Sequence, residues 1–357
     1  MGHSPAHLIM TPNEHWQRHL QQPILVAGLG SMGKRRIRNL QALGATMLHG
    51  FDLREDRRSE VAALYDVPVH ATWEHALAKV RPAVLIISVP PDLHHIYMKE
   101  ALRLGIPFFV EASVIDEGIE DIIATGREKK VFAAPSATMY FHPAVRIIDE
   151  HVRSGYLGHL SHITYHMGNY LPDWHPYEPV SDFYASRKET GGAREIVPFD
   201  LTWITMLFGF PQRVCGLHRK TIDIPGAPDI DDTYTMLLDH GTFSMVLTID
   251  VVTRSATRRM LINGSERELV WDWDEQCVRI FHHDRQEWET IGFDQEPAAA
   301  GYNKNISEGM YIDEMRAFLQ GIDDPGLYVN SLERDHRVLK LLYTVERSWE
   351  QGQWLDI

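Results

Sequence analysis

Residues 23–34 read Pro23-Ile24-Leu25-Val26-Ala27-Gly28-Leu29-Gly30-Ser31-Met32-Gly33-Lys34, and a second apolar run, Thr46 to Phe51, ends in Asp52. Ile24 to Ala27 has the apolar run of a short buried strand. The pattern G-x-G-x-x-G follows at Gly28, Gly30 and Gly33. Ile37, Leu40 and Leu43 then recur at helical spacing, with Gly44 as the stop. Strand, glycine turn, helix, strand and terminal acid together make a dinucleotide-binding fingerprint. Gly28 permits the tight turn, Gly30 lets backbone approach a pyrophosphate, and Gly33 lets helix and strand pack closely. The helix start at Ser31 and Met32 offers N–H donors and positive dipole to phosphates, and Asp52 is placed to accept ribose hydroxyls. A glycine turn in some other α/β domain is the competing reading.

Length and charge narrow the rest. A chain of 357 residues predicts about two domains with sizeable cores. A formal charge of −14 argues against nucleic acid or anionic membrane as the main partner. The two cysteines, Cys215 and Cys277, make neither a disulfide framework nor a metal spacing, which points to a reducing cytoplasm. Met1 to Met10 has no basic n-region or apolar h-region, and no run suffices to span a bilayer.

In chain order, residues 1–22 read as an extension. Thr11-Pro12-Asn13-Glu14 resembles a capping box and predicts a helix over 12–21. Residues 23–138 alternate short apolar strands with helices of about ten residues, the pattern of a doubly wound parallel sheet. Residues 139–357 change character. A helix over 142–154, a strand over 160–167 and a long aromatic loop over 168–190 precede a helix over 196–208. Strands follow at 212–218, 233–239, 242–252, 257–263, 266–273 and 277–283, with Asn263-Gly264 as a tight turn. Helices near 307–320 and 331–350 close the chain. The expected fold is α/β, an N-terminal Rossmann domain plus a C-terminal α+β domain with a mostly antiparallel open sheet. That sheet should carry helices on one face only. Met236, Leu238, Met245, Leu247 and Ile249 are expected on its open face, where they would join copies into a homodimer or homotetramer.

Several motifs resemble the Gfo/Idh/MocA family of NAD(P)-dependent sugar and cyclitol oxidoreductases, from about Ile24 to the last helix. Gly28 to Leu40 is similar to the family's first turn, with Arg36 where a histidine is frequent. Val89-Pro90-Pro91-Asp92-Leu93-His94 resembles its T-P-P-x-x-H segment beside the nicotinamide. Phe141-His142-Pro143-Ala144 and Ser154-Gly155-Tyr156-Leu157-Gly158 fit the start of its second domain, and Gly191-Gly192 opens what looks like its catalytic helix. Two hallmarks are missing. Glu111-Ala112-Ser113 stands where the family has Glu-Lys-Pro, and Phe199 falls where the helix carries its proton-transferring histidine, with Thr202 in place of an aspartate. The resemblance implies NAD as cofactor, held by Gly28, Gly30, Ser31, Met32, Gly33, Asp52 and Arg54, with Pro90, Pro91, His94 and Glu111 beside the nicotinamide.

Oxidising a secondary alcohol needs a hydride acceptor and a base. With the usual lysine and histidine gone, the candidate catalytic residues are Glu195 as base, Arg194 as anchor for a substrate oxyanion, and His175 and Tyr140 as further proton-handling groups. Tyr170, Asp173, Trp174, Tyr177, Tyr184 and Arg187 on the aromatic loop suit a sugar, and Ser113 is placed to bond a substrate oxygen. The plainer readings are an Arg194–Glu195 ion pair, a His175 that packs in its turn, and a His94 ring stacked near the cofactor. His142, His166 and His175 have no metal-ligand spacing, and no metal is expected. Three functions follow: an NAD-dependent oxidoreductase acting on a sugar, sugar nucleotide or cyclitol with non-standard acid/base residues; a redox-assisted elimination or hydrolysis with recycled NAD; and a catalytically lapsed NAD- and ligand-binding homologue serving as sensor or scaffold.

Overall fold

Alternate residues of the first strands face opposite layers, which forces a sheet covered on both sides. In the computed structural model, which describes residues 14–176, 178–294 and 307–357, Ile24, Val26, Val84, Ile86 and Phe109 join one core. Leu25, Ala27, Leu85, Ile87 and Phe108 join the other. The strands are β1 (Ile24–Ala27), β2 (Leu48–Phe51), β3 (Val69–His70), β4 (Val84–Ile87), β5 (Phe108–Val110) and β6 (Ala133–Pro135). They run parallel in the order β3-β2-β1-β4-β5-β6. Between them lie α1 (Ser31–Ala42), α2 (Glu55–Tyr65), α3 (Trp73–Val80), α4 (His94–Leu104) and α5 (Ile119–Lys129). Strand order reverses between β1 and β4, so a crevice opens beyond their carboxyl ends, where ligands of such sheets bind.

The rest of the chain comprises α6 (Pro143–Arg153), β7 (Leu160–Gly168), α7 (Ala193–Phe208), seven strands, α8 (Glu308–Asp323), α9 (Leu332–Gln351) and a terminal β15 (Leu355–Asp356). The seven are β8 (Arg213–Arg219), β9 (Thr233–Asp239), β10 (Ser244–Asp250), β11 (Thr257–Gly264), β12 (Arg267–Asp272), β13 (Cys277–His282) and β14 (Glu287–Gly292). With β7 and β15 they form a nine-stranded sheet ordered β14-β13-β12-β11-β7-β10-β9-β8-β15. Its neighbours are antiparallel except for the parallel pair β10–β7. Strands β14 and β15 escape the sequence reading because β14 is an exposed edge without inward alternation and β15 has two residues.

The N-terminal segment is a 3₁₀ helix over Glu14–Gln21, with Trp16 and Leu20 buried and His19 Nε2 3.0 Å from Asp323 at the end of α8. Thr11, Pro12 and Asn13 of the expected capping box, and Tyr177 of the aromatic loop, lie outside the described residues. Among the described residues no helix is long and apolar enough to cross a membrane.

One expectation is corrected. Met236, Leu238, Met245, Leu247 and Ile249 are at most 1 % exposed and belong to the core, not to an open face. Side chains alternate along a strand, and this phase of β9 and β10 is the one that packs against α7. The opposite phase makes the outer face, where the cross-strand row Leu237, Val246, Thr164, Leu261 and Val270 lies. Leu237, Val246 and Thr164 in that row are exposed.

Candidate active site

Backbone sterics shape the crevice first. Gly28 has φ +90, and a Cβ there would lie 2.5 Å from the Ser88 carbonyl oxygen at the end of β4. A Cβ on Gly33 would meet the Gly28 carbonyl oxygen at 1.8 Å, so no side chain fits between α1 and β1. Gly30 differs: beyond its chain neighbours only the Arg57 side-chain tip comes near, at 3.4 Å, which leaves its backbone open to the crevice. A turn bare of side chains at a helix N-terminus fits a dinucleotide pyrophosphate. Asp52 lies buried beneath, its Oδ2 accepting from the Leu29 N–H and its Oδ1 from the Arg54 N–H, both at 2.8 Å. Each carboxylate oxygen retains a lone pair for a ribose hydroxyl. The neighbouring arginines are engaged: Arg54 with Asp56 at 2.6 Å, Arg58 with the Asp52 and Leu53 carbonyls, and Arg57 3.8 Å from Asp52.

The crevice opens into a cavity of about 1100 Å³ lined by Gly30, Ser31, Met32, Arg54, Pro90, Pro91, His94 and Glu111 on one side, and by Trp174, His175, Tyr184, Glu195 and Phe199 on the other. His94 is buried, bonded to Ser113 Oγ at 3.2 Å and the Val89 carbonyl at 3.0 Å, and burial pushes its pKa down to about 4. It is a neutral wall rather than a base near pH 7. Ala112 and Phe199, where the resemblance expects lysine and histidine, also line the cavity, so nothing else fills those two positions.

Glu195 enters the cavity because two glycines pin the aromatic loop to α7. A Cβ on Gly191 would lie 2.0 Å from the Ala185 carbonyl oxygen, and the Gly192 N–H donates to that same oxygen at 2.9 Å. The short turn Tyr184–Ser186 is thereby held over the start of α7, and the Tyr184 hydroxyl donates to Glu195 Oε1. Oε2 of Glu195 is buried without a hydrogen-bond partner. Desolvation raises the Glu195 pKa to about 7 against the lowering effect of the Tyr184 bond. A carboxyl poised near neutrality in a ligand-sized cavity is suited to general acid/base work.

The other candidates separate. Arg194 does not line the cavity: it is buried, bonded to Glu346 at 2.6 Å and to the Val114 and Glu189 carbonyls. Neighbouring helical residues diverge by about 100°, so Arg194 anchors α7 to α9 while Glu195 faces the crevice. Tyr140 is likewise absent from the lining and donates to Asp149 Oδ2 at 3.1 Å. His175 does line the cavity, bonded to Glu178 at 2.9 Å and packed 4.7 Å from the Phe183 ring, with burial lowering its pKa. Ser113 serves His94.

Arg254 and Arg258 line the cavity as well and were not among the candidates. The signal for Arg258 lay in the strand phase: it alternates with Met260 and Ile262, both buried, so its inward direction follows from β11 once that strand is known.

Residues 23–132 match a family model described as "Oxidoreductase family, NAD-binding Rossmann fold", and residues 145–270 match one described as "GFO/IDH/MocA C-terminal domain". No curated protein matches the chain at significance. Among solved structures, a levoglucosan dehydrogenase complex with NADH and levoglucosan superposes with TM-score 0.80 at 16% identity, over 94% of this chain and 99% of that one. An Agrobacterium radiobacter oxidoreductase in complex with NAD+, L-tartaric acid and magnesium gives 0.82 at 10% identity, over 94% and 98%. A UDP-N-acetylglucosamine 3-dehydrogenase from Acidithiobacillus ferrooxidans gives 0.72 at 19% identity, over 93% and 98%. At such identities the likeness is one of fold.

Proposed function

This chain belongs to the Gfo/Idh/MocA oxidoreductase family, and from that premise we propose that it is an NAD-dependent oxidoreductase acting on a CH–OH group of a sugar-like substrate, with Glu195 as its acid/base residue. The observation that carries the reading is Glu195 itself, a carboxyl with a pKa near 7 in the cavity that begins at the glycine cradle. The cradle at Gly28, Gly30 and Gly33 with Asp52 would hold NAD, which would supply the hydride acceptor. Glu195 takes the hydroxyl proton on Oε2, and Tyr184 holds Oε1. Trp174, His175 and Phe199 line the same cavity and offer ring faces suited to a sugar. That solved relatives in fold include a levoglucosan dehydrogenase and a UDP-N-acetylglucosamine 3-dehydrogenase favours a sugar. Screening sugars, sugar nucleotides and cyclitols with NAD+ for NADH formation tests the reading. NADH that binds but never forms across such a panel would leave the lapsed homologue standing.

Asp52 and the occupied arginines favour NADH over NADPH, since a 2′-phosphate would meet the carboxylate and find Arg54 already paired. Calorimetry is expected to give NADH at least tenfold the tighter, about 1.4 kcal/mol. The reverse order would refute this assignment of Asp52.

Copies of the chain are proposed to pair through the outer face of the nine-stranded sheet, centred on Leu237 and Val246. Large apolar side chains exposed next to each other on a sheet face favour an interface. Light scattering should return a multiple of the chain mass, and Val246→Lys should shift it toward the single chain. A monomer at micromolar concentration would refute the pairing.

A further inference from the structure

Resting on the oxidoreductase reading above, we propose that the substrate is a sugar acid whose carboxylate docks on Arg258, with Arg254 at the rim. Arg258 is 4 % exposed and lines the cavity. Its Nε and Nη1 are buried without a hydrogen-bond partner among the described residues. Asp200 Oδ1 stands 3.1 Å from Nη1, close enough to pair the charges but without a hydrogen-bonding angle. Nor does Asp200 depend on Arg258 for donors, because it accepts from the Tyr165 hydroxyl at 3.0 Å and the Trp203 Nε1 at 3.1 Å.

A guanidinium withdrawn from water with its donors unused is costly. Asp200 balances its charge, but the rings beside it, Phe199 at 5.8 Å and Trp273 at 5.4 Å, offer only their faces to the open donors. Arg254 adds a second cation to the same cavity. It lies exposed over the Tyr170 ring at 3.5 Å. Both guanidiniums line the one cavity, Arg258 buried beside Asp200 and Arg254 exposed at the rim. Neutral hydroxyls would satisfy such N–H groups singly. A carboxylate supplies two acceptors and a counter-charge, in the planar geometry a guanidinium binds best. A phosphate dianion fits less well, for neither a helix N-terminus nor a second buried cation accompanies Arg258. Phe199 separates Arg258 from Glu195, one turn earlier on α7, so the acid group and the reacting hydroxyl bind on either side of that ring.

The test uses the full chain with NAD+. Calorimetry and NADH formation are followed for D-glucuronate, D-galacturonate and D-gluconate, each beside its neutral hexose and hexose 6-phosphate. At least one acid is expected to bind ten times or more tightly than its neutral counterpart. Arg254→Gln should cut that preference several-fold. Because Arg258→Met alone would strand Asp200, the double change Arg258→Met with Asp200→Asn is used, with retained NADH binding as the check on folding, and it should abolish the preference. NADH formed from neutral or phosphorylated sugars in preference to every acid would overturn the anion site and leave the oxidoreductase reading intact. So would an acid preference that survives the double change. Tight acid binding lost in the double variant, without NADH from any compound, would keep the anion site and remove the oxidoreductase reading.

Discussion

Glu195→Gln is expected to lower the rate of NAD-dependent alcohol oxidation at least about a hundredfold, the lower end of what a positioned base contributes. The amide keeps the shape and the Tyr184 contact but cannot take a proton. NADH affinity should hold, because the cradle at Gly28, Gly30 and Asp52 lies apart from it. The pH profile gives an independent reading. Only the carboxylate form is a base, so oxidation should rise with pH through about 7 and level off above, and the glutamine variant should lose that limb. Tyr184→Phe removes the bond that lowers the Glu195 pKa, and the limb should move to higher pH. Stability carries the opposite sign. The folded carboxyl titrates above its ordinary value of 4.5, so the folded state holds a proton that the unfolded chain has released. That stabilisation is complete below about pH 4.5 and is lost as pH rises through about 7. The glutamine variant should therefore resist heat better than the parent at pH 8. Near-normal turnover in the variant would move the chemistry elsewhere in the cavity, with His175 the next residue to replace.

What the sequence carried plainly was periodicity. The glycine turn and the short apolar strands took the places their spacing implied, and the two closing helices bury Met310, Met315 and Phe318, then Leu332, Leu339 and Leu342. Strand phase was harder. Reading β9 and β10 as apolar did not say which alternate set met α7, and the set assigned to the open face was the core. Direction on a helix had the same difficulty: Arg194 and Glu195 are adjacent, yet one reaches Glu346 on α9 and the other the cavity. Contacts between distant segments were the least legible. Nothing local to Arg258 announces Asp200, and nothing local to Tyr140 announces Asp149 ahead of the alternatives. Such pairings are set by where the sheet and helices cross.

The same holds for Arg36, whose replacement should have the largest effect on stability. Arg36 sits on α1 with no exposure and forks onto Glu111, Nε to Oε1 at 2.7 Å and Nη2 to Oε2 at 2.8 Å. Its Nη1 stands 2.8 Å from Oε2 of Glu314, itself wholly buried on α8, and its guanidinium covers the Phe109 ring at 4.4 Å. Glu314 in turn accepts from the Ala137 N–H at 2.6 Å and the Thr138 hydroxyl at 2.7 Å, so it ties α8 to the segment after β6. One cation thus serves two carboxylates. Arg36→Met keeps the apolar stem but leaves both acids unmatched in a low-dielectric site, and breaking a buried pair from one side costs about 3–5 kcal/mol. Urea unfolding should show a loss of that size, with a fall in melting temperature on the order of ten degrees. Arg36→Lys, a single point charge without the fork, should fall between. Glu111 also lines the cavity, its Oε1 accepting from Ser88 Oγ at 3.1 Å as well as from Arg36, so NADH affinity should weaken alongside stability in Arg36→Met. The resemblance puts a lysine directly after this glutamate, and here that place is Ala112. The positive charge beside Glu111 instead comes from α1, one buried side chain that both braces the fold and holds Glu111 at the cavity wall. A methionine variant with unchanged urea midpoint and unchanged NADH affinity would show that Glu111 and Glu314 do not depend on it.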